Sequence, residues 1–499
     1  MNKSRGTGNK RKNSSKKRSS NKFGNNDNKK RNSRFSANDY KKRNPKQKDF
    51  SRKKSAGKIT TIEATCVGMD NEGRGLIKHE DRMLKVPNLI KDEVAKVNLI
   101  RSGRYTDCEV VEITSPSQDR AKPKCKYYYE CGGCQLQHMS LKGQNEYKEI
   151  VVRKAMKEFG KVAGLISMEQ PYDYRNKIHT TFATFKGGQI VSGFYQEYSH
   201  KVVKIDRCII QDPRADEIIL TLRDLAKSFK LRIYEEDRDV GFLRHALIRT
   251  GKVSGEIMLV LVVTDRRFPS KNNFIKALLK KHPEITTVVM NINDKDTSMV
   301  LGDREEVMYG KGFIEDQLCG HKFHISPKSF YQVNPVQTEK LYNKAIELAD
   351  LKGTETIIDA YSGIGTISLI ASSKVKEVIG VELNKDAFKN SIKNAKINKI
   401  KNARFFNADA GEFMVEVAQE GMKIDAVFLD PPRSGSDEKF LSSVVKLSPK
   451  KVVYISCNPV TQARDLKFLV DKGYKVKKIQ PVDMFPWTYH VENIVLLEK

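Results

Sequence analysis

The sequence predicts an α/β protein of three folded units: a small N-terminal β-barrel of the oligonucleotide-binding kind, a central α+β unit, and a C-terminal doubly wound, mostly parallel sheet. Three observations lead there. Short β-prone runs crowd the stretch after Ile59, apolar strands alternate with helix-length segments after Thr356, and the region between mixes both kinds of run irregularly. The expected boundaries are 1–57 for a disordered basic tail, 58–116 for the barrel, 117–330 for the central unit and 331–499 for the C-terminal unit.

The tail explains most of the charge. The chain has 499 residues and 91 Lys and Arg against 61 Asp and Glu, a formal net charge of +30. Residues 1–57 hold 21 of those cations and three acids, a net +18, which leaves +12 for the other 442 residues. A segment so poor in apolar side chains cannot bury enough surface to offset its ordering entropy. It reads as an arm that releases counterions from a phosphate backbone, or as a solubilising extension. No apolar run approaches the roughly 20 residues needed to cross a bilayer. The start, MNKSRGTGNKRKNSSKK, lacks the apolar stretch of a secretory signal. The expectation is a cytoplasmic protein without a membrane partner, its eight cysteines reduced and nucleic acid its partner.

In the barrel region, ITTIEATCVG, RMLKVP, EVAKVNLIR and TDCEVVEIT read as strands, and Asp70 and Asn71 favour a turn among Gly68, Gly73 and Gly75. In the central unit, KIHTTFATF, GEIMLVLVV and TTVVMNIN read as strands, and DEIILTLRDLAKSF and NNFIKALLKKH as helices. A helix then starts at Asn334-Pro335-Val336-Gln337. Asn can cap, Pro fits the first turn and Gln can reach back, ahead of Leu341, Ala345, Leu348 and Ala349 on one face. Beyond it TIIDAYSG, EVIGVEL, ARFFNADA, IDAVFLDPP, KVVYISCNP and VENIVLLEK supply the strands of the last sheet.

Ligands of such sheets bind at the carboxyl ends of the strands. The first strand ends at Asp359 and runs into a loop with Gly363 and Gly365; Glu382 ends the second, 19 residues after Gly363. An acid at that distance suits the ribose hydroxyls of a nucleoside cofactor, and with two glycines instead of three S-adenosylmethionine fits better than NAD. Asp430, ahead of Pro431-Pro432-Arg433, leaves a carboxylate at the crevice, for cofactor or substrate. Cys457 stands at the mouth of the same crevice, where a thiol beside a methyl donor suggests a particular chemistry. Carbon 5 of a pyrimidine is too weak a nucleophile to be methylated directly, and thiolate addition at carbon 6 activates it. Such a reaction needs a base for the carbon-5 proton; Glu492, entering the last strand, is the candidate, a solvated strand-start acid the plainer reading.

Cys125, Cys131 and Cys134 have the spacing C-x5-C-x2-C, which points to a metal centre. The x5 gap and the lack of a nearby fourth ligand suit zinc poorly, whereas an iron-sulfur cluster tolerates a distant thiolate. Cys208 is the best candidate for it; Cys66, Cys108 and Cys319 read as structural.

Together these residues resemble the bacterial RNA uracil-5 methyltransferases that act on large-subunit ribosomal RNA or transfer RNA. The likeness spans roughly residues 58 to 499. It rests on a barrel of the TRAM type, the cysteine run, Phe330-Tyr331-Gln332-Val333-Asn334, Asp359-Ala-Tyr361-Ser-Gly-Ile-Gly, Asp430-Pro-Pro-Arg433, Ser456-Cys457-Asn458-Pro459 and His490-Val-Glu492. The resemblance implies that Gln332, Tyr361, Glu382 and Asp430 contact S-adenosylmethionine, that Cys457 is the nucleophile and that Glu492 is the base. It implies a 4Fe-4S cluster on Cys125, Cys131, Cys134 and Cys208, Phe330 as a stacking platform for the target base, and Asp409 near the adenine. The activity implied is methylation of carbon 5 of a uridine by a monomer, with 23S ribosomal RNA favoured. Transfer RNA is the alternative substrate. Two other readings are an amino-group methyltransferase, suggested by Asp430-Pro-Pro, and a non-catalytic ribosome assembly factor.

Overall fold

The computed structural model describes residues 59–102, 105–196, 199–297 and 299–499. The expected basic tail lies outside them. Strands β1 (Ile59–Met69), β2 (Gly75–His79), β3 (Arg82–Val86), β4 (Val94–Ser102) and β5 (Tyr105–Ser115) form one antiparallel sheet in the order β3-β2-β1-β4-β5. Its first turn follows from Asp70, whose Oδ1 accepts from the Glu72 and Arg74 amides at 2.9 and 3.0 Å, while Gly73 adopts φ 77°. The sheet curls around Cys66, Ile77, Val86, Leu89, Val97 and Cys108, so these two thiols pack as apolar groups. The edge strands β3 and β5 touch without forming a ladder. The expected barrel is therefore an open half-barrel, because its two edges, β3 and β5, have no ladder between them to close it.

Helix α1 (Leu141–Ala155) follows the cysteine-bearing loop, capped by Ser140, whose side chain accepts from the Gly143 amide. The central unit then runs through β6 (Lys177–Phe185), β7 (Gln189–Tyr195), β8 (Val202–Lys204), α2 (Pro213–Ser228), β9 (Leu243–Thr250), β10 (Ile257–Val263), α3 (Lys271–Lys281), β11 (Ile285–Ile292) and β12 (Arg304–Tyr309). The sheet order is β12-β11-β10-β9-β6-β7-β8, with β10 and β11 parallel across α3 and the other pairs antiparallel. The apolar run of β10 is buried throughout because both faces are covered. On one face Leu259 and Leu261 meet Ile218 and Leu222 of α2 and Phe274 of α3. On the other, Met258 and Val260 join the core beneath the C-terminal sheet.

A hairpin of β13 (Ile314–Leu318) and β14 (His321–Ile325) leads to α4 (Pro335–Ala349). Asn334 Oδ1 accepts from the Gln337 amide at 3.3 Å, as the cap signal implies. Gln337 does not reach back; its Nε2 donates to the carbonyls of Asp483 at 2.9 Å and Ile166 at 3.1 Å, because tertiary acceptors lie within reach.

The C-terminal unit consists of β15 (Thr356–Asp359), α5 (Thr366–Ala371), β16 (Glu377–Val381), α6 (Lys385–Ile397), β17 (Ala403–Phe406), α7 (Ala410–Gln419), β18 (Ala426–Leu429), α8 (Glu438–Leu447), β19 (Lys451–Ser456), α9 (Pro459–Asp471), β20 (Lys475–Val482) and β21 (Glu492–Glu498). Its sheet runs β17-β16-β15-β18-β19-β21-β20, parallel through β19 and antiparallel at β21 and β20. Neighbours Ile357 and Ile358 enter opposite cores, as the two-residue strand period demands of a sheet covered on both faces. The strand order reverses between β15 and β18, and the crevice opens there. The KVKKIQPV stretch, not counted as a strand above, is edge strand β20, and β21 inserts between it and β19. Among the described residues no helix is long and apolar enough to cross a membrane.

Candidate active site

The crevice is built from four strand ends. Asp359, at the end of β15, is fully buried; its Oδ2 accepts from the Ser368 amide at 3.0 Å and hydroxyl at 2.7 Å, and its Oδ1 has no partner. Burial pushes this carboxyl up to about 6. The loop that follows turns through Gly363 and Gly365 at φ 56° and 85°. A Cβ on Gly365 would lie 3.0 Å from the Phe405 ring, so glycine is needed there for space as well as conformation. Glu382, directly after β16, is tied to this loop: its Oε2 accepts from the Gly363 amide at 2.8 Å and its Oε1 from the Asn384 amide at 2.5 Å. Tyr361 packs on Phe440 with ring centroids 5.1 Å apart.

Beyond β18, Asp430 opens the Pro-Pro-Arg loop, and α9 holds that loop down. The Arg433 carbonyl accepts from Asn458 Nδ2 and Thr461 Oγ1, both at 3.2 Å, and Asp465 Oδ2 accepts from the Ser436 amide at 2.8 Å. Cys457 follows β19 directly and Glu492 begins β21. The last registered pair of those strands is Ser456 with Asn493, which sets Cys457 opposite Glu492. Glu492 is buried, and its carboxyl is held well above the usual range by burial and by the nearby carboxyl of Asp430, with Arg433 opposing. Asp430 is shifted up likewise, by desolvation and by Asp359. Burial and Glu492 push the Cys457 thiol up to about 11, again against Arg433. Arg433 Nη2 donates to His490 Nε2 at 3.1 Å, and burial and that guanidinium lower His490 to about 4, so the imidazole is neutral with its proton on Nδ1. Three carboxyls, one thiol and one guanidinium thus share a site where no acid has its own cation.

Gln332 lies between β14 and α4 and contributes its carbonyl to Asn176 Nδ2 at 3.2 Å. Its side chain lies by the hydroxyl of buried Tyr342, which faces Asp430, Asp359 and Glu492. Next to it, Tyr331 is buried and Phe330 stands out with 68% of its surface exposed. Asp409 caps α7, accepting from the Glu412 amide at 3.0 Å. Nothing in the sequence marks Tyr342 for a task beyond the apolar face of its helix. Its position shows only once α4 is docked across the sheet.

The cysteines expected to ligate a cluster lie on the loop before α1 and, for Cys208, between β8 and α2. Among the described residues no group of three or more His, Cys, Asp or Glu side chains is arranged to hold a metal ion. The quartet stands as four free thiols. Cys134 and Cys208 pack against Met168, Tyr174, Ile210 and Trp487. Burial, with smaller contributions from the neighbouring thiols, pushes both up to about 12. As neutral thiols Cys134 and Cys208 pack among apolar side chains. Cys131 also feels Cys125, so the fold does gather all four into one neighbourhood.

A parallel sheet with an inserted antiparallel seventh strand, an acid directly after β16 and an Asp-Pro-Pro loop after β18 define an α/β methyltransferase. The crevice suits the adenosyl group: a Cβ on Gly363 would meet open space, and Asp359 Oδ1 and Ser362 Oγ lack partners. Residues 301–499 match the family model described as tRNA (uracil-5-)-methyltransferase. An uncharacterized RNA methyltransferase of Halalkalibacterium halodurans is 39% identical over 447 residues, covering 88% of this chain and 97% of that protein. One from Clostridium tetani is 41% identical over 456 residues, covering 90% and 98%. The crystal structure of Pyrococcus abyssi tRNA (uracil-54, C5)-methyltransferase in complex with S-adenosyl-L-homocysteine superposes with a TM-score of 0.73 at 28% identity, covering 87% of this chain and 99% of that one. This chain belongs to the RNA uracil-5 methyltransferase family and uses S-adenosylmethionine.

Proposed function

We propose that the protein methylates carbon 5 of a uridine in RNA, large-subunit ribosomal RNA being favoured, through a covalent bond between Cys457 and the base. The observation that carries this reading is the register of β19 against β21, which sets a thiol opposite a buried carboxyl at the mouth of the crevice. The uridine is extruded from its loop, at a cost of a few kcal/mol, and stacks on exposed Phe330. Cys457 loses its proton to solvent and adds to carbon 6, with Arg433 the nearby cation that favours the thiolate. Gln332, Tyr361, Glu382 and Asp430 hold S-adenosylmethionine, which supplies an electrophilic methyl group for the activated carbon 5. Ionised Glu492 then takes the carbon-5 proton, and the Cys457 thiolate leaves as the 5,6 double bond re-forms. A carboxyl whose pKa burial has raised is a stronger base, once ionised, than one in water.

Cys125, Cys131, Cys134 and Cys208 are the ligands we assign to a 4Fe-4S cluster, and the analogy with cluster-bearing members favours ribosomal RNA. Protein isolated without oxygen is expected to carry iron and sulfide near four each by ligand logic. About one zinc and no sulfide would refute the assignment. The function is tested with methyl-labelled S-adenosylmethionine and, separately, ribosomal and transfer RNA from cells lacking the protein. Label is expected as 5-methyluridine in 23S ribosomal RNA, and Cys457→Ala should abolish it. Label on a nitrogen, or no label, would overturn the reading; label in transfer RNA alone would overturn the ribosomal assignment.

A further inference from the structure

Glu492 is delivered to the crevice by the connection from β20 to β21, and that connection is gripped at one residue. Trp487, the only tryptophan of the chain, is 6% exposed and five residues before Glu492. Its backbone lies at φ 69°, a left-handed conformation that a side chain with a Cβ rarely adopts and that persists only where the surroundings over-determine it. Those surroundings are specific. The Trp487 carbonyl accepts from the amides of Gln135 and Leu136, both at 3.0 Å, immediately after Cys134. Its own amide donates to Gln144 Oε1 on α1, and its indole Nε1 donates to the Pro171 carbonyl at 2.8 Å. The ring stacks on Tyr172 with centroids 5.6 Å apart and interplanar angle 26°, against Cys134 and Cys208. Every polar atom of this residue is therefore used, and each partner lies on or beside the cysteine-bearing half of the central unit. Three residues on, His490 meets Arg433.

We propose that Trp487 is a positioning residue for Glu492: it latches the β20–β21 connection onto the cysteine-bearing segment, so that the fold of that segment sets where the carboxyl stands. The inference rests on the reading of Glu492 as the base. A displaced base slows loss of the carbon-5 proton and leaves thiol addition and substrate binding in place. The signature is thus a kcat effect with a build-up of the Cys457-linked RNA.

The test uses the full-length protein as purified, labelled S-adenosylmethionine, and total ribosomal RNA from cells lacking the protein. For Trp487→Ala, kcat is expected to fall about 10- to 100-fold, the range that a misplacement of about 1 Å produces, with both KM values falling alongside it, because addition and methyl transfer precede the slowed step. A covalent protein-RNA species should accumulate. Trp487→Phe keeps the stacked ring and loses the indole N–H, so it should lie between. Cys134→Ser keeps the tryptophan as a reporter: its emission should shift to the red and kcat should fall together. Unchanged kcat in both Trp487 variants, a fall in kcat without adduct, or a red shift with full turnover would each overturn the proposal. Glu492→Gln separates the two claims. If it accumulates adduct while Trp487 variants turn over normally, the latch alone is wrong; if it accumulates none, the assignment of the base has failed.

Discussion

Asp483 and Glu492 lie nine residues apart on the same connection, both buried, and the protein treats them in opposite ways. Asp483 meets Lys148 of α1, Oδ1 to Nζ at 2.6 Å, and that ammonium also donates to the Phe485 carbonyl at 3.0 Å. Both ions are fully enclosed. Glu492 has no such partner; its nearest charged influences are another carboxyl, Asp430, and a guanidinium shared with Cys457 and His490. Satisfied charge holds the connection in place, and unsatisfied charge at its far end is what a base needs. The fold thus leaves the crevice carboxyls without cations of their own and gives Asp483 one, although burial outweighs Asp483 and still holds the Lys148 ammonium below its usual range.

Changes on the two sides should therefore move stability in opposite directions. Lys148→Met leaves Asp483 buried without its cation and should lower unfolding free energy by about 3–5 kcal/mol, measured by chemical denaturation. Changing Asp483 to Leu in that background should recover most of the loss. A single-variant loss below about 1 kcal/mol, typical of an exposed pair, would break the contrast.

In the crevice the sign reverses. Asp359 titrates at about 6 when folded and near 3.8 when not, so the folded state binds the extra proton between those values. Its ionisation therefore costs stability as pH rises through that window, by about 3 kcal/mol at most. Asp359→Asn should be more stable than the parent at pH 8, match it at pH 4, and lose activity. An equal gap at both pH values would show that the Ser368 hydrogen bonds, not ionisation, set the difference.

A smaller effect reports on the thiol. With Cys457 pushed up to about 11, its alkylation by iodoacetamide, followed on the Cys457 peptide, should be slow at pH 7 and rise about tenfold per pH unit. A plateau below pH 8 would mean that Arg433 outweighs burial and Glu492.

How much of this could be read from the chain alone depended on distance along it. The strands β15 to β19 stand out as apolar runs, and their ends mark Glu382, Asp430 and Cys457 by position. Gln332 and Tyr361 drew their roles only from likeness to a family. The register that opposes Glu492 to Cys457 was hidden, because the insertion of β21 between β19 and β20 is a tertiary choice with no local signal. Lys148 and Asp483 are separated by 335 residues, and nothing in either neighbourhood marks them as partners. The cysteine spacing was plain and its meaning was not, since three thiols in a row look alike whether they pack or ligate. Trp487 carried one legible sign, being a lone tryptophan in the segment that leads to Glu492.

The central claim is that the β19–β21 register pairs a nucleophile with its base. It is tested most directly by incubating Glu492→Gln protein with S-adenosylmethionine and ribosomal RNA from cells lacking the protein, then analysing the denatured products by mass spectrometry. The account expects a stable species in which methylated RNA remains bonded to the Cys457 peptide, because the thiol can add but the carbon-5 proton cannot leave. Full turnover without any adduct would contradict it.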